Sequence, residues 1–360
     1  MRNFLYVASP VRVEFGAGAL ERLPREIGLL GAHRALVLST PGHADDANRV
    51  AQRLGERAAG VFARAAMHVP IETAAEARAE AARLGADCTV AFGGGSTIGL
   101  AKAIALDSGL PILAIPTTYA GSEMTSIYGL TEAGMKRTGK DPRVLPRAVI
   151  YDPRLTLALP VALSVTSGFN AIAHAVEGLY AENGNPVMDL LAEEGLRAMA
   201  SALPAIHREP RDIEARSQAL HGAWLCGMVL GGVGMALHHK LCHTLGGSFG
   251  LRHAEVHTVV LPHAIAYNAP AISSALARMR RALGRDDPAA ALYDLACEHG
   301  APCSLRSLGL AESDLDRAAD LATRDPYWNP RPVERDGILA LLQNAWAGRR
   351  PSIAPVSAAS

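Results

Sequence analysis

The sequence predicts an α/β domain on a doubly wound parallel sheet over residues 1–158, then an all-α domain over residues 159–348. Three observations predict this. Short apolar runs alternate with helical segments through the first 150 residues. Beyond Asp152-Pro153 no strand-like run remains, and long Ala/Leu-rich helical stretches extend from about Leu163 to Ala347. A chain of 360 residues, 49% of them hydrophobic, can fill two cores.

Residues 11–15 alternate as a half-buried strand does, and Gly16-Ala17-Gly18 turns the chain into a helix over 19–30. Residues 35–38, Ala-Leu-Val-Leu, form an apolar run of the kind buried in a parallel sheet. A turn at 39–42, a helix near 45–58 and a strand over 60–66 follow. The Ala/Glu/Arg-rich stretch 72–84 is helical. Residues 89–92 form the next buried strand and run straight into Gly93-Gly94-Gly95-Ser96 and a helix to Leu106. Strands at 111–115, ending in Pro116-Thr117-Thr118, and at 148–151 complete the sheet. The domain boundary falls near 153–163, and the tail 349–360 lacks apolar content and is expected to fray.

Composition excludes several classes of function. Thirty-five basic residues balance 35 acidic ones without a long run of either sign, which argues against nucleic acid or an anionic membrane as a partner. No apolar run approaches a membrane span, and the N-terminus has no signal-peptide pattern. Cys88, Cys226, Cys242, Cys297 and Cys303 are scattered, with no CxxC, and read as reduced thiols; the cytoplasm is the expected compartment.

Two regions carry chemistry. Three glycines between a buried strand and a helix let backbone N–H groups approach a pyrophosphate, and Ser96 can cap the helix or bond a phosphate oxygen. A tight turn with no ligand has the same pattern, but Thr117 and Thr118 add two hydroxyls at the carboxyl end of a second strand. The second region is 236–263, which holds six of the 13 histidines. His239 and His243 are four apart and share a helix face. Gly246-Gly247 are expected to stop that helix and let His253 return toward it. Asn170 and His174 form another such pair upstream, and the set suits a metal or an anionic substrate. His238 lies about 100° round the helix and is expected to face elsewhere, and His257 and His263 are expected to be structural.

In this order these motifs resemble the iron-containing (group III) alcohol dehydrogenase family, of dehydroquinate synthase-like architecture, over nearly the whole chain. Matching pieces are Gly93–Ser96, Ala101-Lys102, residues 115–118, Gly121-Ser122-Glu123, Thr125, Asp152-Pro153, residues 168–174 and residues 239–253. The resemblance implies an N-terminal dinucleotide-binding domain and a metal in the cleft before a helical domain. Family ligands, one Asp and three His, fall on Asn170, His174, His239 and His253, and the histidine beside the nicotinamide falls on His243. It further implies cofactor contacts from Gly94, Gly95, Ser96, Thr117, Thr118, Thr125 and Lys136, and a homodimer.

The departures are informative. The ligand acid is Asn170, the Asp three residues after the GGGS serine is Gly99, and the loop after Thr118 is one residue short. With SGFNAIAHAVEGLY and PYWNPRPVE, they resemble the branch of this family that reduces the carbon–carbon double bond of maleylacetate to 3-oxoadipate in aromatic breakdown. That implies NADH or NADPH, a small dianionic substrate and no required metal; a metal-dependent alcohol or polyol dehydrogenase is the alternative. On this reading His243 and His253 are catalytic, and Asn170, His174 and His239 bind substrate as a cationic pocket with no carboxylate. Lys240, Arg252 and Arg331 are candidates for the substrate carboxylates. Ser39-Thr40 offers no acid for a ribose 2′-hydroxyl, so both dinucleotides are expected to serve.

Overall fold

The structure, a computed structural model, describes residues 3–132 and 135–353, with only the backbone at 135 and 136. The chain divides into two compact units. One holds Val7–Leu159 and Arg211–Leu220; the other holds Pro160–Pro210 and the chain from His221 onward, with the first residues up to Tyr6.

In the first unit, β1 (Arg12–Phe15), β2 (Ala35–Leu38), β3 (Ala58–Phe62), β4 (Cys88–Gly93), β5 (Ile112–Pro116) and β8 (Ala148–Tyr151) form one parallel sheet in the order β1-β8-β5-β4-β2-β3. Strands β2, β4, β5 and β8 are buried throughout, so they read as continuous apolar runs instead of alternating ones. Helices α1 (Leu23–Leu29), α2 (Ala44–Leu54), α3 (Ile71–Arg83) and α4 (Gly95–Ser108) make the crossovers. Leu23, Ile27, Val50 and Leu54 pack with Val37, Val90, Leu113 and Ile150 in one core. The chain moves outward from β2 to β3 and the opposite way from β4 to β5. The switch point therefore lies between β2 and β4, where ligands of such sheets bind.

The predicted helix over 19–30 opens as a 3-10 turn before α1, and the predicted helix 45–58 ends at Leu54, since Gly55 breaks it. An antiparallel hairpin that sequence reading missed, β6 (Ile127–Glu132) and β7 (Met135–Lys140), stands outside the sheet. Arg211–Leu220 also belongs here: Arg216 is fully buried and donates to the Tyr119 hydroxyl (3.1 Å) and the Leu159 carbonyl (3.0 Å).

The second unit is helical: α5 (Val161–Gly178), α6 (Pro186–Arg208), the later part of α7 (Ile213–Gly232), α8 (Leu237–Phe249), α9 (His253–Asn268), α10 (Ser273–Leu283), α11 (Pro288–Glu298), α12 (Leu315–Arg324) and α13 (Arg335–Ala347). Leu237, Leu241 and Leu245 make an i, i+4, i+8 stripe on α8. It packs with Val256 and Val260 of α9, Leu315 of α12 and Ile338 and Leu342 of α13. Burying that stripe leaves His239 and His243 on the opposite side of α8, about 160–200° away.

Three expectations need correction here. Helix α8 runs through Gly246-Gly247 to Phe249 and stops at Gly250, whose φ of 69° supplies the left-handed cap. Cys297 and Cys303 are joined by a disulfide, so only Cys88, Cys226 and Cys242 are free thiols, and cysteine usage no longer argues for a compartment. The tail is tied down as far as it is described. Arg350 pairs with Asp294 (2.6 Å), and the Ile353 N–H donates to Asp287 (2.8 Å); residues 354–360 lie outside the described residues. Among the described residues, no single helix is long and apolar enough to cross a membrane.

Candidate active site

At the carboxyl end of the sheet, Gly93 and Pro116 stand in register on adjacent strands, so the glycine turn and Thr117-Thr118 share one edge. Gly93 has φ 149°, and a Cβ there would meet Thr97 Oγ1 at 2.5 Å; at Gly94 it would meet Thr118 Oγ1 at 2.8 Å. The backbone must pass here bare. Gly94 is the N-cap of α4 and has no side chain to cap it; the Thr97 N–H turns back to the Gly94 carbonyl (3.1 Å), which leaves the Gly95 and Ser96 N–H groups of a 14-residue helix for an anion. Ser39-Thr40 follows β2 at the switch point. These features fit the pyrophosphate of a dinucleotide, with Gly94, Gly95, Ser96, Thr117 and Thr118 as the residues to hold it.

Thr125 is placed differently. Its hydroxyl is buried, accepts from Lys102 Nζ (2.9 Å) and donates to the Ser122 carbonyl (3.2 Å). Lys102, fully buried on α4, also donates to the carbonyls of Ser122 and Ile127, both at 2.7 Å. It clamps the segment that follows β5. Burial lowers its pKa to about 7, against the opposing charge of Glu123. The side chain of Lys136 lies outside the described residues.

The histidines of the helical unit converge. On α5, Asn170, His174 and Glu177 fall at i, i+4 and i+7, one face of the helix. His174 stacks on His239 of α8 at 5.2 Å between ring centroids. His239 lies 6.3 Å from His243, and His243 stacks on His253 at 5.9 Å with the rings 10° apart. His253 Nε2 is 3.0 Å from His257 Nε2. Burial falls off along α8: His238 and His239 are enclosed, while His243, like His253, is half-buried. The accessible end carries Tyr327, whose hydroxyl is 2.9 Å from His243 Nδ1. Burial and the charge of Glu177 raise the Tyr327 pKa. Lys240 Nζ stands over the Tyr327 ring at 5.7 Å.

Glu177 was not foreseen, and it changes the electrostatics. Fully buried, it accepts from His239 Nδ1 (2.6 Å), from the Ala236 N–H (2.9 Å) and from the His238 N–H (2.7 Å). Burial would push its pKa up, but the bond and charge of His239, with those of His238 and Ala236, hold it below the usual carboxylate value. His174 and His257 are driven well below 6.5 by burial, then by neighbouring histidines, and burial takes His238 to about 4. The expected pocket without a carboxylate is therefore corrected: Glu177 sits on His239, and His174 of the expected set is held neutral by its burial.

His238 and His257 were expected to lie outside the site and are inside it, 4.7 Å apart between centroids and each within 5.2 Å of His239. Of the candidate cations, Arg331 is spent on the Tyr267 carbonyl (2.6 Å) and ring, and Arg252 pairs with Glu255 (3.2 Å). Lys240 alone of the three stands beside His243's partner Tyr327. His263 is buried, its ring 6.4 Å from that of Tyr293.

The four donors implied for a metal include no anionic ligand. Asn170 offers an amide where an anionic ligand would stand, and His253 Nε2 is engaged with His257. Among the described residues, His174, His239 and His253 do not bring three ligand atoms within 4.8 Å of one another, whereas Glu177, His238 and His239 do, as do His238, Cys242 and His257.

The comparisons agree with this architecture. Residues 10–153 match the model of the iron-containing alcohol dehydrogenases, and residues 164–346 match the model of the C-terminal part of the same family. A maleylacetate reductase of Burkholderia cepacia is 62% identical over 98% of this chain and 100% of its own length. Another, of Pseudomonas sp. strain P51, is 58% identical over 97% of this chain and 99% of its own. The crystal structure of maleylacetate reductase from Agrobacterium tumefaciens superposes with a TM-score of 0.95 at 55% identity, over 98% of this chain and all of that one. The chain belongs to the iron-containing alcohol dehydrogenase family.

Proposed function

We propose that this chain reduces the carbon–carbon double bond of maleylacetate, giving 3-oxoadipate, with NADH or NADPH as reductant. The observation that carries the reading is full-length similarity to maleylacetate reductases combined with Asn170 at the position of the family's ligand acid. The double bond is conjugated to a ketone and to one carboxylate. Reduced nicotinamide, when bound at the glycine turn, supplies a hydride for the carbon β to the ketone. Charge then collects on the ketone oxygen as an enolate, and the neighbouring carbon takes a proton.

An enolate is softer than the alkoxide of a carbonyl reduction, so fixed hydrogen-bond donors can stabilise it where an alkoxide gains more from a Lewis acid. His243 serves as proton donor, since it is accessible and its Nδ1 is bonded to Tyr327; His253, stacked on it, lines the same end. Asn170, His174 and His239 bind substrate, and Lys240 meets a substrate carboxylate at the exposed end. The absence of an acid at Ser39-Thr40 supports use of either dinucleotide.

The test is NADH consumption with maleylacetate beside a panel of simple aldehydes, ketones and polyols, with product identification. Turnover confined to maleylacetate, yielding 3-oxoadipate, supports the reading. Preference for an alcohol–carbonyl pair favours a metal-dependent dehydrogenase instead.

A further inference from the structure

Glu177 is the one charged residue of α5, and nothing in the proposed reaction yet uses it. Three N–H donors from α8 and its entry converge on its two oxygens. Oε2 takes the Ala236 N–H (2.9 Å) and His239 Nδ1 (2.6 Å), and Oε1 takes the His238 N–H (2.7 Å). Ala236 is the N-cap of α8 and makes no side-chain cap bond of its own, so Glu177 supplies the cap from another helix, at the end where the helix dipole favours an anion.

A carboxylate only accepts, so His239 Nδ1 must carry a proton and donate it. The other ring nitrogen, Nε2, is buried and has no hydrogen-bond partner among the described residues. A buried polar atom without a protein partner calls for one from a ligand, an ion or a water. His174 stacks on the same ring and fixes its plane.

We infer that Glu177 is a positioning residue: it fixes His239 as the Nδ1–H tautomer and holds the ring, with Nε2 as a bare acceptor, against His174 in the substrate pocket. The inference rests on the substrate role proposed for these residues. A glutamine cannot replace this acid, because its amide carries one acceptor oxygen where three donors need two. Placed with its NH2 toward His238 N–H, it faces donor with donor. Placed with NH2 toward His239, it faces Ala236 N–H and reverses the tautomer of His239. The same logic makes orienting carboxylates decisive in hydrolase triads.

Two measurements test this. In the full chain at neutral pH, 15N-detected NMR of histidine-labelled protein, with His239 assigned by its loss in His239→Gln, should find Nδ1 protonated; a bare Nδ1 overturns the inference. That readout needs no substrate, so it fails independently of the maleylacetate reading. Second, Glu177→Gln should lower kcat on the order of 10- to 100-fold. KM for NADH and NADH binding should stay unchanged. If Glu177→Gln does not fold, the wild-type tautomer still decides. A folded variant with wild-type kcat would overturn the positioning role.

Discussion

Replacing His243 with Ala separates catalysis from architecture at one residue. The imidazole is half-buried midway along α8, bonded through Nδ1 to Tyr327 (2.9 Å) and stacked on His253 (5.9 Å). Its removal forfeits about one net hydrogen bond, about 1 kcal/mol of stability. A positioned acid contributes roughly 10²–10⁴ in rate, or about 3–5 kcal/mol of barrier. The expected result is a fall in kcat of at least about a hundredfold, with the fold intact by circular dichroism and NADH affinity by fluorescence within about threefold. Tyr327→Phe should be milder, about tenfold, since it removes the group that orients His243 and leaves the ring. The assay is loss of absorbance from reduced nicotinamide with maleylacetate. His243→Ala at wild-type turnover would refute the proton-donor role, and equal losses in turnover and NADH affinity would mean that the residue shapes the cofactor site instead.

Three further outcomes follow from the same geometry. Asn170→Asp returns an anionic ligand next to His174, so the purified variant should retain a divalent metal more than the parent does; unchanged metal content by elemental analysis would count against the assignment of Asn170. Lys102→Met leaves the carbonyls of Ser122 and Ile127 and the Thr125 hydroxyl without their donor, at a cost of about 2–3 kcal/mol, read as a melting-temperature drop of several degrees and weaker NADH binding. Burial lowers the His263 pKa to about 4, so the folded state holds it neutral while the unfolded chain protonates it below about 6.5. Stability is therefore lost as pH falls through that window, by about 2 kcal/mol at pH 5 from this residue. His263→Leu should show a smaller drop in melting temperature between pH 7 and pH 5, and equal drops would refute the assignment.

The sheet was legible because fully buried parallel strands leave continuous apolar runs, as in Ala35–Leu38 and Ala148–Tyr151, each punctuated by a turn. The histidine pairs were legible because i, i+4 spacing fixes a helix face. Glu177 shares that spacing with Asn170 and His174, and a single carboxylate in an otherwise uncharged helix was the signal to read. It was passed over because an acid near a helix end usually faces water. A histidine on the following helix, His257 has no spacing to His239 that reveals their contact. Helix α9 begins at His253, so His257 follows it one turn on and on the same face. The hairpin Ile127–Lys140 has weak alternation and two glycines in its strands, and the Cys297–Cys303 pairing has no spacing signature, so neither was visible.

On the proposed reading, the site turns maleylacetate over through its own imidazole and amide groups, without a bound cation. The most direct test of that reading is turnover of maleylacetate by protein stripped with a strong chelator and analysed for iron, zinc and manganese in the same sample. The account predicts full activity and 3-oxoadipate as product, with metal far below one equivalent per chain. Activity lost on stripping and restored by adding back a divalent metal would contradict it.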